Sequence, residues 1–522
     1  MIRPRIARGS LLLLCVAVAG SLLACGKSSG PSARPRLVVL YAPCSLRCPS
    51  LEPYAKDVPF TPNLAAFARE SVVFEKHVTE TPESGIAYAS IFTGMQAKGH
   101  HVFHHPVRLE DGLPTIAKAF AEDGYECWFW AGHPMANGAL NYGEGIPEER
   151  IVTSTGKDRP NQWVPGRAVT MTANDERFAA LLDDLSAHPE KRAFVQVDFT
   201  LCHDPYYQFC SEDDVAKFLR DFPDRAHGLA PEEIDRFAEL YAKNYGAFQW
   251  NYDEIVRQLD LGPTDTKKLA AVMQTLYETD VRELDRWFGS FLEKVRAHGL
   301  ACDSVIAFTA DHGEALDREN LSFRWGHGLQ LVPETVRVPF LIRAPGRLAP
   351  RAYPSVTRSI DVFPTLAGVC GVAVPQDAGI EGVDLSPALR GERPPPDLLA
   401  YSHTSIPSRE QAASLLQYET VRKEFPTFRP DEMRVRVEND RISCELRYLS
   451  DGGSGFVAHD TAKDPLEEHD VFDPKDGAMS WLSHGLEEYK SALVEAYDKT
   501  PAAQGSPSEE EIRRMKSLGY VK

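Results

Sequence analysis

Positive charge is scarce in this sequence. Its 522 residues include 57 Lys and Arg against 75 Asp and Glu, which gives a formal net charge of −18. No basic run or basic stripe offsets this excess, although proteins that bind nucleic acid present Lys and Arg clustered on one face. We therefore expect no nucleic-acid partner.

The chain also lacks an apolar N-terminal run long enough to cross a bilayer as a helix. The run at residues 11–24 has 14 residues, whereas a transmembrane helix needs roughly 20. Arginine at positions 3, 5 and 8, with no acidic residue, precedes it, and this is the pattern of an export signal. The ending Leu22-Leu23-Ala24-Cys25 resembles the cleavage site of bacterial lipoproteins.

These features predict that residues 1–24 are a lipoprotein signal peptide and that Cys25 is the lipidated N-terminus. The alternative is an uncleaved or ordinarily cleaved signal that carries a cysteine by chance. Residues 25–36 have the small, polar and proline-containing composition of a flexible tether. Because two or more acyl chains anchor a protein stably, we expect a lipid-anchored protein of the bacterial cell envelope.

The sequence has no internal repeat and no low-complexity tract beyond that tether. Its 43% apolar and 25% charged residues are ordinary for a globular protein, which excludes a disordered chain. Ten cysteines are present, and eight remain after Cys15 and Cys25. The spacings 44/48 and 202/210 allow local disulfides in an oxidising compartment without establishing them.

Three short apolar runs, at residues 37–41, 193–199 and 305–309, predict buried parallel strands. Each run is followed within a few residues by side chains suited to chemistry: Cys44, then His203 and Asp204, then Asp311 and His312. In open α/β sheets, ligands bind beyond the carboxyl ends of the strands. A site assembled from these side chains is therefore expected at one edge of the sheet.

Helical periodicity is clearest at residues 266–298, where Gly299 is placed to end the helix. Residues 211–261 are acidic, aromatic and helix-prone, which is typical either of a cap over a substrate cleft or of a solvated helical insert. We predict an α/β domain at residues 37–396, with the helical insert at about 205–265. A smaller α+β subdomain is predicted at 397–522, with a hairpin around Asn439-Asp440.

An ordered series of motifs from about residue 35 onward resembles the sulfatase family of the alkaline phosphatase superfamily. The series includes Thr-Pro-Asn-Leu at 61–64, Thr-Gly at 93–94, His-Asp-Pro-Tyr at 203–206, Asp-His-Gly-Glu at 311–314, Gly-His-Gly at 326–328 and Arg-Val-Pro at 337–339. The resemblance implies a central, mostly parallel sheet flanked by helices, with a smaller C-terminal α+β subdomain.

The resemblance also implies a mechanism, in which a nucleophile at a helix N-terminus attacks a sulfate or phosphate ester beside one or two divalent metal ions. The nucleophile position falls on Ser84. Asp311 and His312 match the metal-binding pair of the family. His203 and His327 match positions that contact the transferred group or the leaving oxygen, and His133 lies near a lysine position of the family.

The residues after Ser84 depart from the family pattern. Active sulfatases that resemble this family have Cys or Ser followed by x-Pro-x-Arg, which directs oxidation of that first residue to formylglycine. Here Ile86 and Tyr88 replace the proline and the arginine. We therefore expect an unmodified Ser84, which favours phosphoryl over sulfuryl transfer, or a Ser84 that only caps a helix.

The end of the first strand departs as well, because the family has metal-binding aspartates where this chain has Cys44 and Ser45. A thiolate binds zinc but is a poor ligand for calcium or magnesium, which prefer oxygen. We expect one divalent ion, zinc rather than calcium, or none. A Cys44–Cys48 disulfide is the alternative to coordination.

The sequence thus predicts a metal-dependent, sulfatase-like hydrolase of sulfate or phosphate esters, with a small molecule or a glycan as substrate. One alternative is a binding protein that keeps the fold without catalysis. Another is a phosphodiesterase or phosphotransferase that uses unmodified Ser84. The retained Asp311, His312, His203 and His327 favour the enzyme, whereas Cys44 and the altered Ser84 motif favour the binding protein.

Overall fold

A computed structural model shows how the chain folds. It describes residues 34–104, 107–153, 176–206, 210–316, 325–328, 330–404, 433–448 and 454–500. The predicted signal peptide, Cys25 and most of the predicted tether lie outside the described residues. Within those ranges, no helix combines the length and the apolar character that crossing a membrane requires.

The larger sheet has the strand order β4-β3-β5-β1-β6-β7-β2-β8. Its strands are β1 (Leu37–Pro43), β2 (Val72–Val78), β3 (Glu126–Gly132), β4 (Ile151–Thr153), β5 (Ala193–Phe199), β6 (Ser304–Thr309), β7 (Phe340–Arg343) and β8 (Arg351–Arg358). Strands β4, β3, β5, β1 and β6 run parallel to one another. Strand β7 is antiparallel to both β6 and β2.

Strand β1 lies at the centre of this sheet, and all seven of its residues are buried. Alternate side chains of a strand face opposite sides of a sheet, so Val38 and Leu40 pack into one hydrophobic core while Leu37, Val39 and Tyr41 pack into the other. Burying both faces explains why this strand is an uninterrupted apolar run.

Helices cover both faces of the sheet. They are α1 (Pro62–Arg69), α2 (Ser84–Thr93), α3 (Ala97–His100), α4 (Ile116–Glu122), α5 (Glu176–Ala187), α6 (Glu212–Asp221), α7 (Pro231–Gln258), α8 (Pro263–Ala297), α9 (Pro333–Val336), α10 (Val362–Cys370), α11 (Ser386–Leu389) and α12 (Gly477–Lys499). Helix α8 matches the predicted helix closely, and Gly299 follows it with φ +71°, the left-handed conformation that ends helices.

A second, antiparallel sheet follows in the chain, with the order β12-β11-β10-β9. Its strands are β9 (Ala400–His403), β10 (Val435–Glu438), β11 (Ile442–Tyr448) and β12 (Ser454–Asp460). Strands β10 and β11 form the predicted hairpin, with Val437 opposite Cys444, and α12 packs on this sheet. The predicted fold class is therefore confirmed. One helical turn, α11, lies between α10 and β9.

Candidate active site

Four neighbouring parallel strands, β3, β5, β1 and β6, end at the same edge of the larger sheet. Polar side chains follow each end: His133 after β3, His203 and Asp204 after β5, Cys44 and Ser45 after β1, and Asp311 and His312 after β6. We call these residues, together with Ser84 and His327, the strand-end site. The topology brings together the residues that the sequence predicted there.

Ser84 is the first residue of α2, and Glu83 precedes it as the N-cap. The unpaired N–H groups of a helix N-terminus carry partial positive charge and favour anions. Ser84 is buried, with 3% of its surface exposed. Its hydroxyl therefore lies at the end of a helix that suits a negatively charged ester.

His312 holds the Ser84 hydroxyl, with 3.0 Å between Ser84 Oγ and His312 Nε2. The other ring nitrogen, Nδ1, lies 2.9 Å from the carbonyl oxygen of Gly313, and a carbonyl can only accept. Nδ1 therefore carries the proton and Nε2 the lone pair, so Ser84 donates to His312. Burial lowers the pKa of His312 to about 3, which keeps the ring neutral.

A glycine is required directly after His312. A Cβ atom on Gly313 would lie 1.9 Å from the carbonyl oxygen of Glu334, closer than any real contact. The Gly313 N–H donates to the Thr335 carbonyl at 2.9 Å. The close approach of this backbone fixes the carbonyl that sets the tautomer of His312.

Cys44 is fully buried and lies against the same hydroxyl. Its Sγ is 3.4 Å from Ser84 Oγ and 3.8 Å from His312 Nε2. Neither Cys44 nor Cys48 forms a disulfide, so the alternative of a bridge between them is not what the structure shows. Burial, followed by the nearby Asp311 carboxylate, raises the pKa of the Cys44 thiol.

Asp311 supplies a carboxylate beside Cys44 and His312. Its Oδ1 accepts hydrogen bonds from the backbone N–H of Ser45 at 3.1 Å and of His312 at 2.7 Å. Its Oδ2 is buried, has no hydrogen-bond donor among the described residues and lies 3.5 Å from His312 Nε2. A buried oxygen in this state, with a thiol and an imidazole lone pair nearby, fits a metal ion with mixed ligands.

His133 belongs to the site, although the sequence indicated it only loosely. One ligand atom each from His133, Cys44 and Asp311 lies within 4.8 Å of the others. The Met135 N–H donates to His133 Nδ1 at 3.0 Å, so the ring proton is on Nε2. A histidine with this tautomer presents a hydrogen-bond donor, whereas a metal ligand needs the lone pair.

Asp198 also belongs to this edge of the sheet, although its sequence context did not predict a role for it. It lies in the apolar run of β5, is fully buried, and its Oδ1 accepts from the N–H groups of Gly132 at 2.7 Å and His133 at 2.9 Å. Burial raises its pKa. A carboxylate inside an otherwise apolar strand was the signal that could have identified it, because a buried carboxyl group needs partners.

His203, Asp204 and His327 form the other half of the site. His203 Nδ1 lies 2.5 Å from the carbonyl oxygen of Asp204 and 2.9 Å from its Oδ1. Burial alone would lower the pKa of His203, but the Asp204 carboxylate raises it to about 9. The ring of His327 lies 4.8 Å from that of His203 and 4.2 Å from that of His312.

Glu314 is the hydrogen-bond partner of His327. Both of its carboxylate oxygens lie 3.2 Å from His327 Nδ1, so His327 donates to a fully buried acid. Burial and the neighbouring Asp204 carboxylate raise the pKa of Glu314.

All six predicted catalytic and metal-binding residues thus converge, while the predicted lipidation site Cys25 lies outside the described residues.

A mostly parallel sheet with a hydroxyl at a helix N-terminus beside candidate metal ligands is the arrangement of the alkaline phosphatase superfamily. Within it, the sulfatase family model matches residues 45–372. The match covers more than half of the chain, so the protein belongs to the sulfatase family. Members of this family are metal-dependent hydrolases of sulfate esters.

Known relatives agree with this assignment. The chain is 23% identical over 391 residues to an endo-4-O-sulfatase of Bacteroides thetaiotaomicron, which covers 65% of this chain and 67% of that protein. It is 24% identical over 381 residues to a choline-sulfatase of Rhizobium meliloti, covering 66% and 70%.

Solved structures show the same fold. The phosphonate monoester hydrolase of Agrobacterium radiobacter superimposes with a TM-score of 0.58 at 18% identity, covering 89% of this chain and 96% of that one. A protein solved in complex with its substrate D-glucosamine-2-N,6-O-disulfate superimposes with a TM-score of 0.63 at 16% identity, covering 90% and 100%. Together, the family and these relatives support a sulfatase-like hydrolase of sulfate or phosphonate esters.

Proposed function

We propose that this protein hydrolyses sulfate or phosphate esters in the bacterial cell envelope, with unmodified Ser84 as the nucleophile and one divalent metal ion. The proposal rests on one observation: Ser84 Oγ lies 3.0 Å from His312 Nε2 and 3.4 Å from Cys44 Sγ. A hydroxyl held at the N-terminus of α2 can attack an ester whose negative oxygens face the positive helix end.

Asp311, His312 and Cys44 are the residues that would hold the ion. Their oxygen, nitrogen and sulfur donors suit zinc, whereas calcium binds through oxygen. When bound, zinc would neutralise charge on the ester oxygens and lower the pKa of the Ser84 hydroxyl. The fit rests on the buried Asp311 Oδ2, which lacks a hydrogen-bond donor among the described residues.

The side chains around Ser84 can position the ester. His133 presents its Nε2–H, which can donate to an oxygen of the transferred group. The His327 ring packs against the rings of both His203 and His312. In this position, His203 and His327 can contact the leaving oxygen. Burial excludes water from these groups and strengthens each such contact.

An unmodified Ser84 is supported by the two residues that replace the proline and the arginine. Ile86 is fully buried in the core, and Tyr88 donates its hydroxyl to the Ala42 carbonyl at 2.9 Å. Ile86 thus serves core packing, and Tyr88 ties α2 to β1. Mass spectrometry of the peptide at residues 77–98 is expected to show serine, and a loss of two hydrogens would show formylglycine instead.

Turnover tests the proposal directly. The purified protein with zinc added is expected to hydrolyse an aryl phosphate or aryl sulfate ester. Ser84→Ala and Asp311→Asn should each lower the rate by about a thousandfold or more, since both remove a group used in the transition state. Ser491→Ala, on the exposed face of α12, removes a serine hydroxyl that bonds only its own helix and should leave the rate unchanged.

A binding protein without catalysis is the second candidate, because no acidic residue follows β1 and burial favours the neutral Cys44 thiol. It predicts no turnover of either ester with zinc, manganese or calcium, and no metal in the purified protein.

A phosphodiesterase or phosphotransferase that uses Ser84 is another candidate. In that case we expect turnover of phosphate esters without turnover of sulfate esters.

The envelope location rests on the N-terminal sequence. Wild-type protein should partition into detergent with the membrane fraction, and Cys25→Ser should release it, since the change removes the acyl attachment point. Cys127→Ser is a suitable control because this thiol is buried between core residues. Unchanged partitioning of Cys25→Ser would remove the lipid anchor from the proposal.

A further inference from the structure

We infer that Glu80 is a proton-controlled latch that joins the C-terminal subdomain to the helix carrying Ser84. The subdomain consists of β9–β12 and α12, and Glu80 lies in the short connection between β2 and α2. Glu80 is buried, with 3% of its surface exposed. The latch deepens the proposed function by adding a control on the same nucleophile, and only its effect on turnover rests on that function.

The connection that contains Glu80 runs alongside the second sheet. The N–H of His403, in β9, donates to the Glu80 carbonyl at 2.8 Å, and Ser402 Oγ donates to the Thr79 carbonyl at 2.7 Å. From α12, the Tyr489 hydroxyl donates to Glu80 Oε1 at 2.9 Å. Both the sheet and the helix of the subdomain therefore contact the segment that leads into α2.

The carboxyl group of Glu80 also contacts α2 and α3. Its Oε2 lies 2.6 Å from Oγ of Ser90, in α2. Its Oε1 accepts from the N–H of Ala97 at 3.0 Å, and Ala97 is the first residue of α3, whose N–H has no acceptor within its own helix. A single carboxyl group therefore joins α12 to α2 and α3.

Two buried histidines near Glu80 have fixed tautomers. His100 Nδ1 accepts from a backbone N–H at 3.1 Å, so its proton is on Nε2, which donates to Ser90 Oγ at 3.1 Å. His403 Nδ1 donates to a backbone carbonyl at 2.9 Å, which leaves the Nε2 lone pair 3.9 Å from Glu80 Oε1. Burial lowers the pKa of His100 to about 3 and that of His403 to about 4, so both rings are neutral.

The surroundings of Glu80 favour a proton on its carboxyl group. Burial raises its pKa from 4.5 to about 7, and the charge of Glu381 adds to this effect, while the hydrogen bonds to the carboxylate oppose it. No Lys or Arg pairs with Glu80 among the described residues, since the nearby Lys98 pairs with Glu381 at 2.8 Å. The titratable groups around the latch are Lys98, His100, Glu381, His403, Tyr489 and, acting on His403, Glu83.

The proton on Glu80 decides which acceptor the Ser90 hydroxyl uses. When Glu80 has released its proton to water, Ser90 donates to the carboxylate. When Glu80 is protonated, its O–H donates to Ser90 Oγ, and Ser90 donates instead to the carbonyl of Ile86, 3.1 Å away. Ile86 lies two residues after Ser84 in the first turn of α2. The proton therefore acts on the turn that carries the nucleophile.

The latch holds most firmly when Glu80 is protonated. In an opened state, Glu80 meets water and its pKa returns to the usual 4.5, whereas the closed state keeps the proton up to about pH 7. Opening of the contact between the subdomain and α2 should therefore become about tenfold more frequent for each pH unit between these two values. Above pH 7 both states are ionised, and the frequency should no longer change.

Infrared difference spectroscopy locates the proton without relying on turnover. Spectra of full-length wild type minus Glu80→Gln are compared from about pH 5 to about pH 9. We expect the carbonyl band of a protonated carboxylic acid at low pH, lost with a midpoint near pH 7. Subtraction removes the bands of the other buried acids. Absence of the band, or a midpoint near 4.5, would overturn the latch.

Hydrogen exchange measured by mass spectrometry tests the mechanical consequence. Protection of peptides from β9 and α12, corrected for the intrinsic exchange rate, should fall about tenfold per pH unit in the wild type between about pH 5 and 7. Glu80→Gln should stay protected throughout, because its amide can donate to Ser90 but cannot ionise. Glu488→Gln, an exposed position on α12, is the matched control and should follow the wild type.

A wild type with constant protection, or a Glu80→Gln variant with the wild-type dependence, would contradict the latch. Tyr489→Phe provides a second variant, which should lower the protection of α12 at every pH and keep the infrared band, since it removes the contact and leaves the proton.

Turnover separates the latch from the proposed function. The ratio of wild-type kcat to that of Glu80→Gln should decline as pH rises through about 7, with KM unchanged, because the first turn of α2 is held less firmly. A constant ratio would overturn the control of Ser84. The expected infrared band and exchange pattern without hydrolysis of either ester would keep the latch and refute the hydrolase. Hydrolysis with exchange that does not depend on pH would do the reverse.

Discussion

Two regions of the molecule bury charged side chains, and they differ in the partners that the buried acids have. The first, which we call the paired cluster, joins Arg337, Arg436, Glu438 and Glu467. The second is the set of carboxyl groups in or directly beside the strand-end site, Asp198, Asp204, Asp311 and Glu314. Both sets lie almost entirely out of water, so solvation alone cannot explain the difference between them.

In the paired cluster, every charge has an opposite partner. Arg436 Nη2 lies 2.6 Å from Glu438 Oε2 and 2.6 Å from Glu467 Oε1, and Arg337 contacts the same two acids. Burial alone would raise the pKa of Glu467, but Arg436 and Arg337 lower it to about 2. This cluster connects the second sheet to the segment before β7 and is a structural joint.

At the strand-end site the pKa values of two buried acids are shifted upward, opposite to that of Glu467. Burial raises the pKa values of Asp198 and Glu314, and Asp311 Oδ2 has no hydrogen-bond donor among the described residues. Buried acids arranged in this way are costly unless a cation joins them. The difference teaches that buried charge by itself does not identify a functional site, and that Asp311 is marked instead by a buried carboxylate oxygen without a hydrogen-bond donor among the described residues, beside a thiol and an imidazole.

The largest effect is expected in the paired cluster. Arg436→Met leaves Glu438 and Glu467 buried with one guanidinium between them, which should lower the free energy of unfolding by about 3–5 kcal/mol. Urea denaturation followed by tryptophan fluorescence measures this. The control is Lys463→Met, because the Lys463–Asp460 pair is exposed and should contribute nothing measurable. Equal losses in both variants would contradict the comparison.

Glu80 is an intermediate case, because it is buried and hydrogen-bonded but has no Lys or Arg partner among the described residues. Its carboxylate accepts from Ser90 Oγ at 2.6 Å, Ala97 N at 3.0 Å and Tyr489 Oη at 2.9 Å. Burial still raises its pKa from 4.5 to about 7. The titratable groups that face it or act on it are His100, Glu381, His403 and Tyr489.

This shift predicts how stability depends on pH. Between pH 4.5 and about 7 the unfolded chain releases the Glu80 proton while the folded protein keeps it, so stability falls as pH rises through that window. The loss is about 3 kcal/mol at roughly 1.4 kcal/mol per pKa unit. Glu80→Gln should flatten this part of the profile, as measured by urea denaturation from pH 4 to pH 8. A profile identical to that of the wild type would exclude Glu80 as its cause.

Asp311→Asn distinguishes the strand-end site from the paired cluster most directly. Without metal, the asparagine carbonyl can accept both N–H bonds that Oδ1 accepts, so stability should change by less than about 0.5 kcal/mol. Zinc at a hundred times its Kd should stabilise the wild type by about 2.7 kcal/mol and leave the variant unchanged. Thermal unfolding with and without zinc measures both quantities. A large loss without metal would show that Asp311 is structural.

The smallest effect is expected at Tyr489. Tyr489→Phe removes one hydrogen bond to Glu80 and should cost about 1 kcal/mol. Tyr401→Phe is the control, since its ring stacks on that of Tyr489 at 4.5 Å and its hydroxyl does not contact Glu80. Comparing the two variants by urea denaturation separates the hydrogen bond from the aromatic packing.

The parts of the fold that the sequence predicted well are those buried on both sides. Strands β1, β5 and β6 are continuous apolar runs because both of their faces are covered, and α8 has a long amphipathic repeat. Strand β8 was not predicted, because it lies at the sheet edge, mixes exposed and buried residues without regular alternation and contains Pro354. Edge strands tolerate such residues, and no strong periodicity marks them.

The residues of the strand-end site that could be predicted from sequence are likewise those that follow a buried strand. Cys44, His203 and Asp311 were predictable because each follows a recognisable strand. The role of Asp198 was not, since it depends on pairing between β3 and β5 that brings the N–H groups of residues 132 and 133 to its oxygen. The donor tautomer of His133 depends on a turn to Met135, which residue identity alone does not reveal.

The position of β1 between β5 and β6 has a consequence for when the site forms. Leu37 pairs with Ala193 on one side and with Ser304 on the other. The central strand can therefore pair on both sides only after segments far along the chain are present. Closing such long loops is slow because the entropy cost precedes the contacts. A nascent chain that ends before residue 304 carries Ser84 without His312. The hydroxyl and its partner therefore cannot meet until synthesis has passed residue 312, so no shorter N-terminal fragment contains both.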